Sequence, residues 1–270
     1  MAAQASTPAI EIRGLRKAFG SKVVLDQLDL TIEAGESLVI LGGSGSGKST
    51  LLRCMIGLER PDAGSILLHG VDLFSAPREE ASRLRQRIGV AFQGGALFGS
   101  MTVAENVDLP LAEFTDLPES TRRIVARIKL SLVGLEEAMD RLPSELSGGM
   151  QKRAAFARAM ALDPSILFCD EPSAGLDPLT SAELDQLLIR LRDVFGVTLV
   201  VVTHELDSAF AIADRLAVMR GGRFVLTGPV DEVRASDDPW VRRFLAREPE
   251  PSHAEDERYR KLIRQWEAGP

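Results

Sequence analysis

Gly42-Gly43-Ser44-Gly45-Ser46-Gly47-Lys48-Ser49 fits the phosphate-loop pattern G-x-x-x-x-G-K-[ST]. The residues before it, Ser37–Leu41, form a compact apolar run that reads as a strand, and Ser49–Gly57 after it reads as a helix. Strand, glycine loop and helix in that order are the context the pattern requires. Glycines let the backbone approach phosphate closely, and successive N–H groups surround its oxygens. A second glycine-rich turn, Leu146-Ser147-Gly148-Gly149-Met150, lies well downstream. One nucleotide site does not need it, so it points to a phosphate held by another subunit.

The chemistry expected around the loop follows from residue type. Lys48 would pair with the β- and γ-phosphates, Ser49 would place its hydroxyl on Mg²⁺, and Thr50 would support the α-phosphate. Ile166-Leu167-Phe168-Cys169-Asp170-Glu171 is an apolar strand ending in adjacent carboxylates. Asp170 is expected to hold Mg²⁺ through its water shell, and Glu171 to orient and polarise an attacking water. Gln93 follows the strand Ile88–Phe92, where an amide can reach the metal or that water. His204 follows the apolar run Val197–Val202, where an imidazole can contact the γ-phosphate and sense its loss. Such catalysis is mostly positioning and charge stabilisation.

Outward from the motifs, Ile10–Ile12 and Leu28–Ile32 alternate as strands do, with a turn at Phe19-Gly20-Ser21. Ile66–Leu68 also reads as a strand. From about Ala96 to Leu162 the pattern becomes mainly helical, clearest at Thr121–Leu132 and Gly149–Ala161. Ile166–Cys169 and Thr198–Val202 are short and wholly apolar, as in strands covered on both faces of a parallel sheet. Between them Ser181–Phe195 carries Leu184, Leu187, Leu188 and Leu191 at helical spacing. The expected fold is therefore α/β: a P-loop NTPase core with a parallel sheet and an inserted helical subdomain. The domain boundaries drawn from this reading are 1–95 with 163–247 for the core, 96–162 for the helical insertion, and 248–270 for a linker and C-terminal helix. In that last segment Tyr259, Leu262, Ile263 and Trp266 form an apolar stripe, and Ser252 with Glu255 would make a capping box.

Composition narrows the function. The 270 residues are enough for one large or two small domains. The net charge of −7 argues against a general nucleic-acid binder, which would show a basic footprint. Cys54 and Cys169, each inside an apolar run, read as buried reduced thiols. No run is long enough for a membrane span, and Met1 to Pro8 lacks the features of a secretion signal. The expected location is cytoplasmic, with any membrane role coming through partners.

The motifs in this order and spacing resemble the ABC-type ATPases, the nucleotide-binding subunits of ABC transporters, from about Ile10 to Leu245. The resemblance adds an N-terminal antiparallel β subdomain to the fold. It implies that Phe19 stacks on adenine, that Gly42, Gly43, Ser44, Gly45, Ser46, Gly47, Lys48, Ser49 and Thr50 hold ATP, and that Gln93 is the loop glutamine. Ser147, Gly148 and Gly149 match the signature that caps the γ-phosphate held by the other subunit. Asp170 and Glu171 match the metal and base pair, with Ser49 and Gln93 also on Mg²⁺. Asp177 matches the loop that communicates across the dimer, and His204 the switch histidine. Phe19 stands where tyrosine is more usual, and Met150 where glutamine is commonest. Catalysis is thus expected from Glu171, His204, Gln93 and Lys48, with Mg²⁺ and ATP as cofactors.

Within that family, Gln93-Gly-Gly-Ala-Leu-Phe-Gly-Ser-Met-Thr-Val-Ala-Glu-Asn-Val-Asp-Leu-Pro-Leu111 is similar to the Mla-type ATPases. These power phospholipid traffic with MCE-type substrate-binding proteins. Pro143-Ser-Glu-Leu-Ser-Gly-Gly-Met and Pro239-Trp-Val-Arg-Arg-Phe-Leu also resemble that group. The implied partners are a second copy of the chain, integral membrane permease subunits, an MCE-type protein and a STAS-type accessory subunit. Amino-acid importer ATPases share much of Met101–Val107, so an importer reading stays open, as does a soluble non-transport ABC ATPase. The apolar residues Ala96, Leu97, Phe98, Met101 and Val103 are expected to face the membrane subunit. The C-terminal stripe is expected to dock on a partner.

Overall fold

The computed structural model describes residues 7–248 and Trp266. The chain forms two compact units, one running to Val233 and one from Arg234. The expected C-terminal helix lies outside the described residues apart from Trp266.

The first unit opens with β1 (Ile10–Phe19) and β2 (Lys22–Ile32), an antiparallel hairpin pairing Ile10 with Ile32 and Phe19 with Lys22. The ladder carries β2 well beyond the expected Leu28–Ile32, because Lys22, Val23 and Leu25 also pair with β1. Next come β3 (Ser37–Gly42), α1 (Lys48–Met55), β4 (Ala63–Leu68), β5 (Val71–Asp72) and α2 (Arg78–Gln86). After β6 (Ile88–Ala91) the chain turns helical through α3 (Val103–Phe114), α4 (Glu119–Leu132) and α5 (Gly148–Ala159). It returns through β7 (Ile166–Asp170), α6 (Pro178–Phe195), β8 (Thr198–Thr203), α7 (Leu206–Ile212), β9 (Arg215–Arg220), β10 (Arg223–Pro229) and α8 (Val230–Arg234). The second unit holds α9 (Pro239–Leu245), capped by Asp238, with Trp240 stacked on Phe244 at 5.2 Å.

Two sheets organise the first unit. One is antiparallel, in the order β2-β1-β4-β5, and the other runs β10-β9-β3-β8-β7-β6. In the larger sheet β3, β6, β7, β8 and β9 are mutually parallel, and β10 joins β9 antiparallel. Every residue of β3 and β8 is buried, which explains their unbroken apolar character. Leu15, Leu25, Leu28 and Ile32 from the small sheet share one core with Leu38, Ile40, Leu51 and Met55. That core places α1 and the phosphate loop between the two sheets. The α/β fold, the antiparallel N-terminal sheet and the helices inserted between β6 and β7 match the expected class.

Candidate nucleotide site

The glycine loop joins the carboxyl end of β3 to the start of α1. Its shape depends on close backbone approach. A Cβ on Gly42 would lie 2.4 Å from the Met219 carbonyl oxygen. Gly47, at φ 108°, would bring a Cβ within 2.9 Å of the Val24 carbonyl oxygen. The Gly222 N–H donates to the Ser46 carbonyl at 3.0 Å, fixing the loop from β9–β10. Lys48 is buried, and its Nζ donates to the carbonyls of Gly42 at 2.7 Å and Gly43 at 3.2 Å. Burial lowers its pKa, opposed by the nearby Glu171 and Asp170 charges.

A cavity of about 550 Å³ opens over this loop. Its lining includes Ser44, Gly45, Ser46, Gly47, Lys48, Ser49 and Thr50, together with Gln93, Glu171 and His204. Thus residues from the ends of β3, β6, β7 and β8 meet at one place, because those parallel strands all end on the same side of the sheet.

Glu171 is held on every side. Its N–H donates to the Val202 carbonyl at 2.8 Å, and its φ is 47°, a conformation uncommon for a non-glycine residue. Its Oε2 accepts from the Thr203 hydroxyl at 2.9 Å and from the His204 N–H at 3.3 Å. His204 Nδ1 lies 2.9 Å from its Oε1. Glu171 is thus aimed and immobilised, as a group that must orient a water requires.

Asp170 supplies the test of a metal. Its Oδ1 is buried and has no hydrogen-bond partner among the protein atoms. Burial raises its pKa, with Glu171 adding to the effect and Arg53, Lys48 and Lys152 opposing it. A desolvated carboxylate oxygen beside a lysine-anchored phosphate loop fits a Mg²⁺ ion approached through water. Ser49, Gln93 and Asp170 are the residues that would hold it.

Other expected site residues fall elsewhere. Phe19 ends β1 and is half exposed, outside the cavity lining, with the Lys17 ammonium 5.1 Å from its ring centroid. Lys17 is itself bound by Glu59 at 2.6 Å. Ser147 caps α5 by accepting from the Met150 N–H at 3.3 Å. Neither it nor Gly148 or Gly149 lines the cavity. Asp177 caps α6, accepting from the Leu179 and Thr180 N–H groups and from the Thr180 hydroxyl at 2.6 Å. The Thr180 hydroxyl is the main cause of its lowered pKa. A Cβ on Gly149 would sit 2.7 Å from the Thr180 Cγ2, so the signature turn and the Asp177 loop pack together.

The sequence reading missed several residues that shape the site. Thr203 gives no motif signal, being the last residue of an apolar strand. Asn106 is fully buried in α3, accepts from the Phe98 N–H, and donates to the carbonyls of Phe98, Met101 and Thr102. Arg158 donates to the carbonyls of Gly95 at 2.9 Å and Ala96 at 2.7 Å. Lys152 donates to the carbonyls of Gln93 and Glu171. A buried asparagine in a helix is one readable hint; bonds to loop carbonyls leave none.

Residues 25–174 match the family model described as ABC transporter. The chain is 44% identical over 237 residues to the probable ribonucleotide transport ATP-binding protein mkl of Mycobacterium tuberculosis, covering 88% of this chain and 66% of mkl. It is 40% identical over 236 residues to the intermembrane phospholipid transport system ATP-binding protein MlaF of Escherichia coli, covering 87% of this chain and 88% of MlaF. Among solved structures, the ATP-binding cassette MJ0796, dimeric in a post-hydrolysis state with ADP and Pi, superposes with a TM-score of 0.75 at 32% identity, covering 82% of this chain and 98% of that one. A phosphate loop, Glu171 and His204 on one cavity, with these relatives, place the chain in the ABC transporter family, of which it carries the ATP-binding cassette.

Proposed function

We propose that the chain hydrolyses ATP as the nucleotide-binding subunit of a transporter that moves phospholipid between bacterial membranes. One observation carries the hydrolytic part. Lys48, Gln93, Glu171 and His204 share a cavity that Ser147, Gly148 and Gly149 do not line. A complete water-positioning set on one side and a spare phosphate-facing turn elsewhere suit two copies arranged head to tail. Each copy's signature would then close on the ATP of the other.

In this reading Glu171 accepts the proton of the attacking water, and Lys48 neutralises charge on the β- and γ-phosphates. Mg²⁺, when bound, adds further neutralisation across the phosphates. His204 keeps Glu171 oriented and registers loss of the γ-phosphate. ATP reaches the second subunit and ADP lacks that contact, so closure is a population shift driven by one phosphate. Permease subunits embedded in the membrane would be moved by the inserted helices. Among the described residues no helix is long and apolar enough to cross a membrane.

The likeness to MlaF and the Gln93–Leu111 stretch support phospholipid as cargo. The likeness to mkl, a probable ribonucleotide transport protein, favours a second reading, a transporter of small solutes such as ribonucleotides. The two separate in a tagged pull-down of Glu171→Gln from detergent-solubilised membranes, with lipid analysis of the eluate. A polytopic subunit, an MCE-type protein and bound phospholipid are expected. A permease with a small-solute receptor would select the second reading. Ribosomes or DNA proteins would overturn transport altogether.

A further inference from the structure

Helix α5 begins at the signature turn, and two of its cations reach back to the nucleotide side. Lys152, one turn in, donates its Nζ to the carbonyl of Gln93 and to that of Glu171 at 3.3 Å. Arg158, nearer the end, fastens the carbonyls of Gly95 and Ala96. Gln93 and Glu171 follow the neighbouring parallel strands β6 and β7, which pair Ala91 with Cys169. Lys152 therefore straddles the ends of two strands from a third element. Its ammonium is partly buried, and burial lowers its pKa against the pull of Asp170 and Glu171.

The Glu171 carbonyl accepts from two donors, the Ala174 N–H at 3.2 Å and the Lys152 ammonium at 3.3 Å. Glu171, the residue after β7, holds a left-handed φ of 47°. Val202 takes the Glu171 N–H, and Lys152 takes the carbonyl, so the peptide groups on both sides of the reactive carboxylate are fixed. The same ammonium fixes the peptide that carries Gln93. An apolar side chain at 152 would remove the charged donor from the Gln93 carbonyl and leave the Glu171 carbonyl to the Ala174 N–H alone.

We propose that Lys152 is a positioning residue for hydrolysis: it sets the Gln93 and Glu171 backbones together and couples both to the helix that bears Ser147, Gly148 and Gly149. The proposal rests on the ATP-hydrolysing reading above. It gives the signature helix a direct mechanical connection to the water-orienting groups of its own subunit. A shift of α5 on engaging the partner's nucleotide then alters Gln93 and Glu171 at once.

The test compares wild type, Lys152→Met, Lys152→Gln and Lys152→Arg in steady-state ATP hydrolysis, with amide hydrogen exchange over Gly94–Ala96. Lys152→Met should lower kcat roughly tenfold, since small misplacements of reacting groups cost about that much or more. KM for ATP should stay within about twofold, because Lys152 does not itself line the nucleotide cavity and meets it only through the backbones of Gln93 and Glu171. Arginine should restore at least about half of kcat, as its guanidinium also donates to two carbonyls, and glutamine should fall between arginine and methionine. Exchange over Gly94–Ala96 should quicken in Lys152→Met. Unchanged turnover in Lys152→Met and Lys152→Gln, or a loss of ATP affinity matching the loss of turnover, overturns the proposal. If wild type hydrolyses no ATP the parent reading falls, while unaltered exchange would separately show that Lys152 does not hold the loop.

Discussion

His204 Nδ1 lies 2.9 Å from Glu171 Oε1, while the other carboxylate oxygen is taken by Thr203. The imidazole belongs to the end of β8 and the carboxylate to the end of β7, so their separation is fixed by the pairing of Asp170 with Val202. Glu171→Gln should retain ATP binding and reduce turnover by at least about a hundredfold, the usual contribution of a positioned base. Thr203→Val removes one donor and should cost several-fold less. Single-turnover hydrolysis beside equilibrium nucleotide binding checks both, and comparable losses in binding and turnover would contradict the assignment.

Asn106 closes the Phe98–Thr102 segment by four hydrogen bonds from within the helical layer. Asn106→Leu has a similar volume but strands these backbone groups. It should lower stability by roughly 2–3 kcal/mol. Urea unfolding of the variant against wild type measures this, and a midpoint within error of wild type would show that water replaces the side chain without loss.

Phe98 sits in that same segment with its ring about half exposed (52%), while neighbouring Val103 is fully buried. An exposed aromatic next to the glutamine loop suits a surface that takes a partner. Phe98→Glu should therefore impair transport in reconstituted vesicles while basal ATP hydrolysis stays within about twofold of wild type. Equal transport by both proteins would leave Phe98 as ordinary surface.

His69 joins the turn between β4 and β5 to the start of β7, its Nε2 2.8 Å from the Ser165 hydroxyl. Burial, aided by Arg87, lowers its pKa. The unfolded chain thus takes up the proton at higher pH than the folded one. The contribution to stability is complete above about pH 6.5, the ordinary imidazole value, and is lost as pH falls through the folded value. His69→Asn, which tolerates the φ of 49° at this position, should flatten the decline in thermal midpoint between about pH 7 and 5. Parallel pH profiles for the two proteins would remove His69 from that dependence.

How much of this was legible in the sequence depended on where each signal resides. β3, β7 and β8 announced themselves because burial on both faces leaves no polar alternation. Helix α6 starts at Pro178, ahead of the apolar stripe that marked it, because Asp177 supplies a cap. Helix α2 buries only Ala81 and Leu84, so it carried almost no stripe to read. Strands β9 and β10 escaped notice because their apolar centres are short, flanked by arginines in β9 and by Arg223 and Thr227-Gly228-Pro229 in β10. At the site, motif residues were readable since each acts through its own side chain in a fixed context. Lys152, Arg158 and Asn106 act on carbonyls remote in sequence, so only the assembled fold shows what they touch.

The glycine motif is contiguous in the chain, but its geometry is not self-contained. The Val24 carbonyl, which belongs to β2, stands close behind both Gly47 and Gly222 and limits each to a residue without a side chain. Asp26 N–H in turn donates to the Gly222 carbonyl at 3.0 Å. A fragment beginning after β2 would keep every letter of the phosphate-binding signature yet lose the wall against which that loop is moulded. The signature is therefore a local inscription of a shape that two separate sheets must jointly supply.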